Sequence, residues 1–391
     1  MPFAAAFSQL PLTRSAVSAA CEQAQLPEVD LAVVFFTPEY DSELLHRELH
    51  TRLRPRYLLG CSVQGVLAGY GEYEQGPALA LWTARFPAGV RLTPFHLTLE
   101  RTADGPSIFG RPDELLEPSN EPLAAFVLGD PFSFPADFFL ERLNDDAPGV
   151  SVFGGMASGT RGPQQVRLIG QTVYQEGAVG VLLQGDTGLR SLVSQGCRPI
   201  GTPFVVTRAE ENVIFELGGQ SPHQRLIELY QSLSPEEQTL MQRGLHVGRV
   251  IDEYRDDFKQ GDFLIRNVMG LDRSSGALVV GDRIRVGQTI QFQVRDAGSA
   301  DAELRQLLQG CRQSSTRYGG GLLFTCNGRG SNLFDVPDHD AATVQELVGP
   351  LALAGFFAAG ELGPIGGRNY IHGFTASLAL FEEKTSNGSG A

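Results

Sequence analysis

Two short segments of the sequence combine charged or reactive side chains with glycine. In the first, Cys326, Asn327 and Arg329 stand in the run Cys-Asn-Gly-Arg-Gly, directly after an apolar stretch. In the second, Glu361 follows Gly360 in the run Gly-Glu-Leu-Gly-Pro. A guanidinium holds a carboxylate through two parallel hydrogen bonds, and a carboxylate receives an ammonium group. Arg329 and Glu361 therefore predict a site for a small ligand that carries both charges.

The same residues have simpler interpretations. Glu361 could instead form a salt bridge with Arg329 or Arg368. The thiol of Cys326, next to an arginine, is in a setting that lowers a thiol pKa and makes it reactive. No histidine lies nearby in the sequence to act as a base, which favours a buried structural cysteine. Cys61 has the same two interpretations.

Three Gly-x-x-x-x-Gly pairs each follow an apolar, strand-like run, at residues 60–65, 154–159 and 355–360. A glycine pair after a strand can hold a phosphate on backbone N–H groups. Here the lysine of a phosphate-binding loop is missing, because valine, threonine and glutamate follow the second glycines. Nucleotide binding is therefore disfavoured. The alternative is that the glycines permit tight turns and close packing.

Ligands of α/β proteins bind outside the carboxyl ends of the strands, so three turns at strand ends predict one shared cleft. The predicted ligand-binding residues are Cys61, Ser62, Gly154, Gly155, Met156, Ala157, Cys326, Asn327, Arg329, Gly360 and Glu361. The sequence has no clustered cysteine and histidine spacing typical of zinc, and neither a metal ligand nor a catalytic residue is assigned.

Each glycine pair lies about 30 residues after the start of a strand, which is the length of one β-α-β unit. The predicted strand and helix before each pair are 31–37 and 44–53, 124–129 and 135–143, and 321–326 and 341–348, and the strands after the pairs are 78–86, 178–183 and 370–381. A crossover helix joins parallel strands. The sequence thus predicts an α/β (or α+β) fold in which repeated β-α-β units form mixed sheets flanked by helices.

The run Gly-Gln-Ser-Pro at residues 219–222 marks a domain boundary. We predict an N-terminal helical segment at 1–27, a first domain at 28–220, a second domain at 221–382 and a polar, disordered tail at 383–391.

Charge and composition exclude several classes of protein. The net charge of −14 disfavours nucleic-acid binding. The sequence has neither an apolar run of membrane-spanning length nor the basic segment of a signal peptide. Five scattered cysteines, an odd number, do not make a disulfide framework. We expect a cytoplasmic protein with no nucleic-acid or membrane partner.

The order of these motifs resembles the FIST domain family, with both its N-terminal and C-terminal parts. The motifs are Gly-Cys-Ser at 60–62, Phe-Gly-Gly-Met-Ala-Ser-Gly at 153–159, Gly-Cys-Arg-Pro-Ile-Gly at 196–201, Val-Arg-Asp-Ala at 294–297, Cys-Asn-Gly-Arg-Gly at 326–330, Gly-Phe at 355–356, Gly-Glu-Leu-Gly-Pro at 360–364 and His-Gly-Phe-Thr at 372–375. The resemblance extends over residues 28–382.

This resemblance implies a bacterial sensory module of signal transduction that binds a small ligand, with amino acids and similar metabolites as candidates. Such a module would pass its signal to a separate protein partner, because the sequence contains no kinase, cyclase, methyl-accepting or F-box segment. The first alternative is a haem-binding nitric oxide sensor, with His372 as the candidate ligand, although a lone strand histidine is more often a hydrogen-bonded core residue. No other cofactor is expected. The second alternative, less favoured than a non-enzymatic role, is an enzyme with Cys326 or Cys61 as nucleophile. A purely protein-interaction role is the third.

Overall fold

A computed structural model describes residues 2–103, 105–115, 121–160, 162–255, 257–313 and 316–383. The chain forms two compact units, of which the first comprises residues 1–193 and 305–391 and the second residues 194–304. Position 220, where the sequence predicts a domain boundary, lies inside the second unit. The predicted disordered tail lies outside the described residues from position 384 onward. Within the described segments, no helix combines the length and the apolar character needed to cross a membrane.

The first unit consists of three mixed sheets flanked by helices. Its strands are β1 (Phe3–Ser8), β2 (Leu31–Phe36), β3 (Tyr57–Ser62), β4 (Val66–Ala68), β5 (Gly71–Tyr73), β6 (Leu79–Ala84), β7 (Arg91–Thr102), β8 (Gly105–Phe109), β9 (Leu123–Gly129), β10 (Ser151–Met156), β11 (Leu168–Ile169), β12 (Val173–Tyr174), β13 (Ala178–Gln184), β14 (Leu189–Gln195), β22 (Tyr318–Cys326), β23 (Ala352–Ala358), β24 (Glu361–Ile365), β25 (Arg368–His372) and β26 (Thr375–Glu382). Its helices are α1 (Thr13–Gln23), α2 (Ser42–Leu53), α3 (Ala136–Asp146) and α7 (His339–Val348), with 3-10 turns at Asp113–Leu115 and Gly330–Asn332. The predicted α/β fold is confirmed.

Three copies of one arrangement build this unit, and we call them repeats 1, 2 and 3. Repeat 1 runs β2–α2–β3–β4–β5–β6, repeat 2 runs β9–α3–β10–β11–β12–β13, and repeat 3 runs β22–α7–β23–β24–β25–β26. In each repeat the two strands joined by the helix pair in parallel, and the final strand pairs antiparallel with the first. Each repeat also contains a hairpin that the sequence did not predict.

The hairpins are exchanged between the repeats. Strand β4 of repeat 1 pairs with β23 of repeat 3, β24 of repeat 3 pairs with β10 of repeat 2, and β11 of repeat 2 pairs with β3 of repeat 1. Each glycine turn lies between the second strand and the hairpin of its repeat, so each turn carries the chain from one sheet to the next. A cyclic exchange of this kind brings the three turns together.

The core of the first unit lies where the three sheets face one another. Phe35 of β2, Phe126 of β9 and Phe324 of β22 contribute one fully buried ring from each repeat. The ring of Phe324 lies 6.3 Å from that of Phe35 and 5.8 Å from that of Phe126, measured between centroids. Aromatic contacts of this kind add to the free energy gained by burying apolar surface.

The second unit is inserted in the chain between β14 and β22. Its elements are β15 (Cys197–Pro199), β16 (Phe204–Glu210), β17 (Val213–Leu217), α4 (Pro222–Ser232), α5 (Pro235–Arg243), β18 (Leu245–Val250), β19 (Phe263–Leu271), β20 (Leu278–Val280), β21 (Thr289–Arg295) and the start of α6 (Ala297–Arg312). Strand β21 pairs with both β16 and β18, which closes six strands into a barrel. Alternate residues of β21, namely Ile290, Phe292 and Val294, belong to its apolar core.

Candidate functional site

The three glycine turns meet at one place in the first unit, which we call the turn centre. Backbone hydrogen bonds join every pair of turns. They are Met156 N to Gly360 O (2.8 Å), Phe357 N to Gly65 O (3.1 Å) and Gly159 N to Ser62 O (3.3 Å). Ser158 adds a side-chain link, since its Oγ accepts from Gln64 N at 3.0 Å and donates to Phe357 O. The turns are therefore close enough to contribute to one small-ligand pocket.

The first glycine of each pair has a structural reason of its own. Gly60, Gly154 and Gly355 occupy the same register position in β3, β10 and β23. At each of them, a Cβ atom would overlap the carbonyl oxygen of the residue opposite in the parallel strand. Close backbone approach thus explains these glycines without a ligand.

Arg329 is fully buried and forms an ion pair that the sequence did not predict. Its Nε lies 2.7 Å from Oδ2 of Asp340 and its Nη2 lies 2.8 Å from Oδ1. Thr325 Oγ1 also donates to Oδ2 (2.7 Å), and His339 Nδ1 lies 2.9 Å from Oδ1. Burial opposes ionisation of Asp340, but the charge and hydrogen bonds of Arg329 outweigh it and hold the pKa of that carboxyl well below its usual range. Among the described residues, Arg329 Nη1 has no hydrogen-bond partner.

The hairpin of repeat 1 holds this ion pair in place. Glu72 Oε1 accepts the backbone N–H groups of Asp340 (2.7 Å) and Ala341 (2.9 Å), in the first turn of α7. Glu74 accepts hydrogen bonds from the N–H and the hydroxyl of Ser331, each at 2.8 Å. Burial and the nearby charge of Asp340 raise the pKa of Glu72 to about 7. The hairpin exchange thus fixes both ends of the loop between β22 and α7.

Glu361 is also fully buried. Its Oε2 accepts from Thr375 Oγ1 at 2.7 Å and from Thr375 N at 3.2 Å, while its Oε1 has no partner within the part of the chain that the structure describes. Burial raises the pKa of Glu361 to about 8, although the hydrogen bonds of Thr375 and the charge of Arg329 act in the opposite direction. At neutral pH the carboxyl is therefore mostly protonated. The alternative salt bridge to Arg368 is wrong, because Arg368 pairs with Asp145 at 3.0 Å.

The two candidate cysteines differ in their surroundings. Cys61 is 0% exposed, and burial raises the pKa of its thiol well above the usual value, which opposes a nucleophilic thiolate. Cys326 is 8% exposed, and its Sγ lies 3.5 Å from the N–H of Gly328. The neighbouring Asn327 is exposed, and its N–H donates to Ala358 O at 2.9 Å. Cys326 is therefore buried, and the exposed Asn327 beside it is hydrogen-bonded to the glycine turn of repeat 3.

The remaining predicted ligand-binding residues pack inside the protein. Met156 is 2% exposed, Ala157 0% and Ser62 1%. Ser62 Oγ accepts the N–H of Arg167 at 2.9 Å. A Cβ at Gly155 would lie 3.1 Å from a ring atom of Phe356. These residues form the walls beneath the turn centre rather than an open cleft.

His372 lies in β25 and is 4% exposed. Its Nε2 lies 2.9 Å from the carbonyl oxygen of Gly363. Because a carbonyl can only accept, Nε2 carries the proton and cannot bind iron while this bond is present. Among the described residues, no group of three or more His, Cys, Asp and Glu side chains could hold a metal ion.

Comparison with known proteins covers most of the chain. The model of the FIST N domain matches residues 30–220, and the model of the FIST C domain matches residues 226–364. An uncharacterized protein of Mycobacterium tuberculosis is 47% identical over 334 residues, which cover 84% of each chain. An uncharacterized protein of Mycobacterium bovis is 46% identical over 330 residues, which cover 84% of this chain and 83% of the relative.

Proposed function

The chain belongs to the FIST family, whose domains are generally taken to be small-ligand sensory domains, and on that premise we propose that it senses a small metabolite at the turn centre. The proposed ligand carries a carboxylate and an ammonium group, as an amino acid does. Arg329 and Glu361 are the proposed contacts, with backbone N–H groups of the glycine turns around them.

One observation carries this proposal. Arg329 Nη1 and Glu361 Oε1 belong to side chains that are each 0% exposed, and neither atom has a hydrogen-bond partner among the residues that the structure describes. A buried polar group without a partner costs about 1–3 kcal/mol. A ligand that bonds both atoms would recover this free energy on binding.

The charge state of each residue defines the ligand chemistry. Asp340 already balances the charge of Arg329, so Nη1 offers the ligand carboxylate a hydrogen bond from a neutralised ion pair. Glu361, with a pKa raised to about 8 by burial, must lose its proton before it can pair with a ligand ammonium group. Binding of an amino acid at neutral pH should therefore release close to one proton.

Access is proposed at the exposed edge of the turn centre. Asn327 and Ala359 are exposed there, whereas Arg329 and Glu361 are fully buried. The ligand would enter past the loop that follows β22, and this loop is tied to α7 by the Arg329–Asp340 pair. We further propose that movement of this loop and helix passes the signal to a separate protein in the cytoplasm.

Thermal unfolding in the presence of an amino-acid panel tests the proposal. A ligand at 100 times its Kd should add about 2.7 kcal/mol to the free energy of unfolding. Calorimetric titration of that ligand in two buffers of different ionisation enthalpy then measures the released proton. In Glu361→Gln the proton release should disappear and the affinity should fall.

Glu43→Gln is the control, since Glu43 is an exposed carboxylate in the first turn of α2, outside the turn centre. It should bind the ligand as the wild type does. If no amino acid raises the unfolding temperature at millimolar concentration, the amino-acid version of the proposal is wrong. If a ligand binds equally well to Glu361→Gln and without proton release, Glu361 is not its contact.

A further inference from the structure

A cavity of about 460 Å³ lies in the first unit, away from the turn centre. It is lined by the start of β3, the middle of β7 and the tip of the β11–β12 hairpin. The glycine turn follows the opposite end of β3, so the two places are distinct. The volume lies within the range of small-ligand sites. We propose that this cavity binds a planar aromatic carboxylate, as a second ligand site beyond the proposed function.

The walls of the cavity present aromatic surfaces. Tyr57, Phe95 and Tyr174 line it together with the ring of His96. His96 stacks on Tyr174 with centroids 3.9 Å apart and planes inclined by 21°. His96 Nε2 also donates to the carbonyl oxygen of Glu176 at 2.9 Å, which fixes the orientation of the ring. Rings held in this way are suited to stacking against a flat aromatic ligand.

The lining of the cavity favours an anion, because Arg56 contributes a positive charge. Arg56 and His50 contribute to its lining, and no acidic side chain does so within the described part of the chain. The guanidinium carbon of Arg56 lies 5.2 Å from the centroid of the Tyr57 ring, and Arg56 forms no ion pair with any described residue. A cationic, acid-free lining is the reverse of the net charge of −14 carried by the whole chain. A locally positive electrostatic potential favours negatively charged ligands.

Arg56 is the cation expected to bind the carboxylate. Burial and the neighbouring His46 lower the pKa of His50, so His50 is mostly neutral at pH 7. Arginine stays protonated at every pH at which proteins fold, and its planar fork matches a carboxylate. The aromatic ring of the ligand would then lie between the walls of Tyr57 and Tyr174, with its carboxylate at the rim.

Equilibrium dialysis with 2-naphthoate, followed by the fluorescence of the ligand, tests this assignment. The wild-type protein should retain 2-naphthoate with a Kd below about 1 mM. Arg56→Gln should weaken binding about 10-fold, because a charge-assisted hydrogen bond is lost. Arg47→Gln is the matched control, since Arg47 is an exposed arginine of α2 outside the cavity lining.

The uncharged isostere 2-naphthamide should bind the wild type at least about 10-fold more weakly than the carboxylate. Glu361→Gln should retain 2-naphthoate fully, so that failure here and failure at the turn centre are distinguishable. Absence of retention by the wild type overturns the proposal. Equal binding by Arg56→Gln and Arg47→Gln, or equal binding of the amide and the acid, also overturns it.

Discussion

Repeats 2 and 3 share one topology and one glycine register but differ in the loop that follows their first strand. In repeat 2, the buried Asp130 accepts from the N–H of Phe132 (3.1 Å) and the hydroxyl of Ser133 (2.5 Å), so the loop closes on itself. In repeat 3, the buried Arg329 reaches from the loop to Asp340 in the following helix. The scaffold is therefore repeated, whereas the buried arginine and its ion pair with a helix residue belong to repeat 3.

This difference separates the residues that build the turn centre from the residues that could contact a ligand there. Gly154 and Gly355 share a register position, and the close approach of a parallel strand explains both, while Gly154 also has a φ of +138°. Arg329 and Glu361 each have a buried polar atom without a hydrogen-bond partner among the described residues. The self-contained hydrogen bonding of the repeat 2 loop does not explain these unpaired atoms. A repeated glycine thus indicates architecture, and the unrepeated side chains of Arg329 and Glu361 indicate the candidate site.

The largest expected effect comes from removing the counter-charge of Arg329. Asp340→Asn leaves a fully buried guanidinium without its partner and should lower the free energy of unfolding by about 3–5 kcal/mol. Asp130→Asn, a change in the loop of repeat 2, weakens local hydrogen bonds and should cost about 1 kcal/mol. Urea unfolding of both variants measures the difference. A larger loss in Asp130→Asn than in Asp340→Asn would contradict the distinction between the two repeats.

The shared glycine register should give large losses in both repeats, with the larger loss at Gly154, because its φ of +138° is one that alanine rarely adopts. Alanine at Gly355 forces a methyl group against a strand carbonyl and should cost about 3 kcal/mol, and alanine at Gly154 adds backbone strain to the same overlap. The same urea experiment measures both losses, and Gly89→Ala serves as the control, since Gly89 has open space around its Cβ position and no positive φ. A large loss in Gly355→Ala together with a small loss in Gly154→Ala would show that the repeats are not equivalent as scaffold.

The β-α-β units were predictable because their signals are local. Each unit has an apolar run, a helical stretch and a glycine turn within a short length of sequence, as in β9–α3–β10. The hairpins were missed because their strands are short, with two residues in β11 and three in β4, and because their partners lie in other repeats. Short strands whose partners are far away along the chain leave no clear pattern in the sequence.

Part of the candidate site was also predictable, because its signals are local in the sequence. Arg329 and Glu361 stand in recognisable glycine-rich runs, and the structure places both beneath the turn centre. Asp340 and Glu72 were missed, because the bond between Glu72 and the N–H of Asp340 spans 268 residues. The glycines around Glu361 also did not predict that its side chain is buried. Burial raises the pKa of Glu361 and so changes its charge at neutral pH. Contacts made by the hairpin exchange become visible only in the folded chain.

A further expected effect concerns the pH dependence of stability, which is small per pH unit and accumulates over the range between the folded and unfolded pKa values. The pKa of Glu361 is raised from 4.5 to about 8 by burial, so between these values the folded state binds more protons than the unfolded state. Its contribution to stability is full below about pH 4.5 and is lost as the pH rises through about 8. One such proton changes the free energy of unfolding by up to about 1.4 kcal/mol per pH unit. Glu72, with a pKa raised to about 7, acts in the same direction.

Glu361→Gln should therefore flatten the fall in stability between about pH 5 and about pH 8, while retaining the smaller part due to Glu72. Urea unfolding across this range, with Glu43→Gln as the control, measures the slopes. Equal slopes in the wild type and Glu361→Gln would mean that Glu361 is already ionised in the folded protein. A ligand ammonium group could then bind Glu361 without releasing a proton. The Glu361 side chain would carry a permanent negative charge at the turn centre rather than a neutral carboxylic acid.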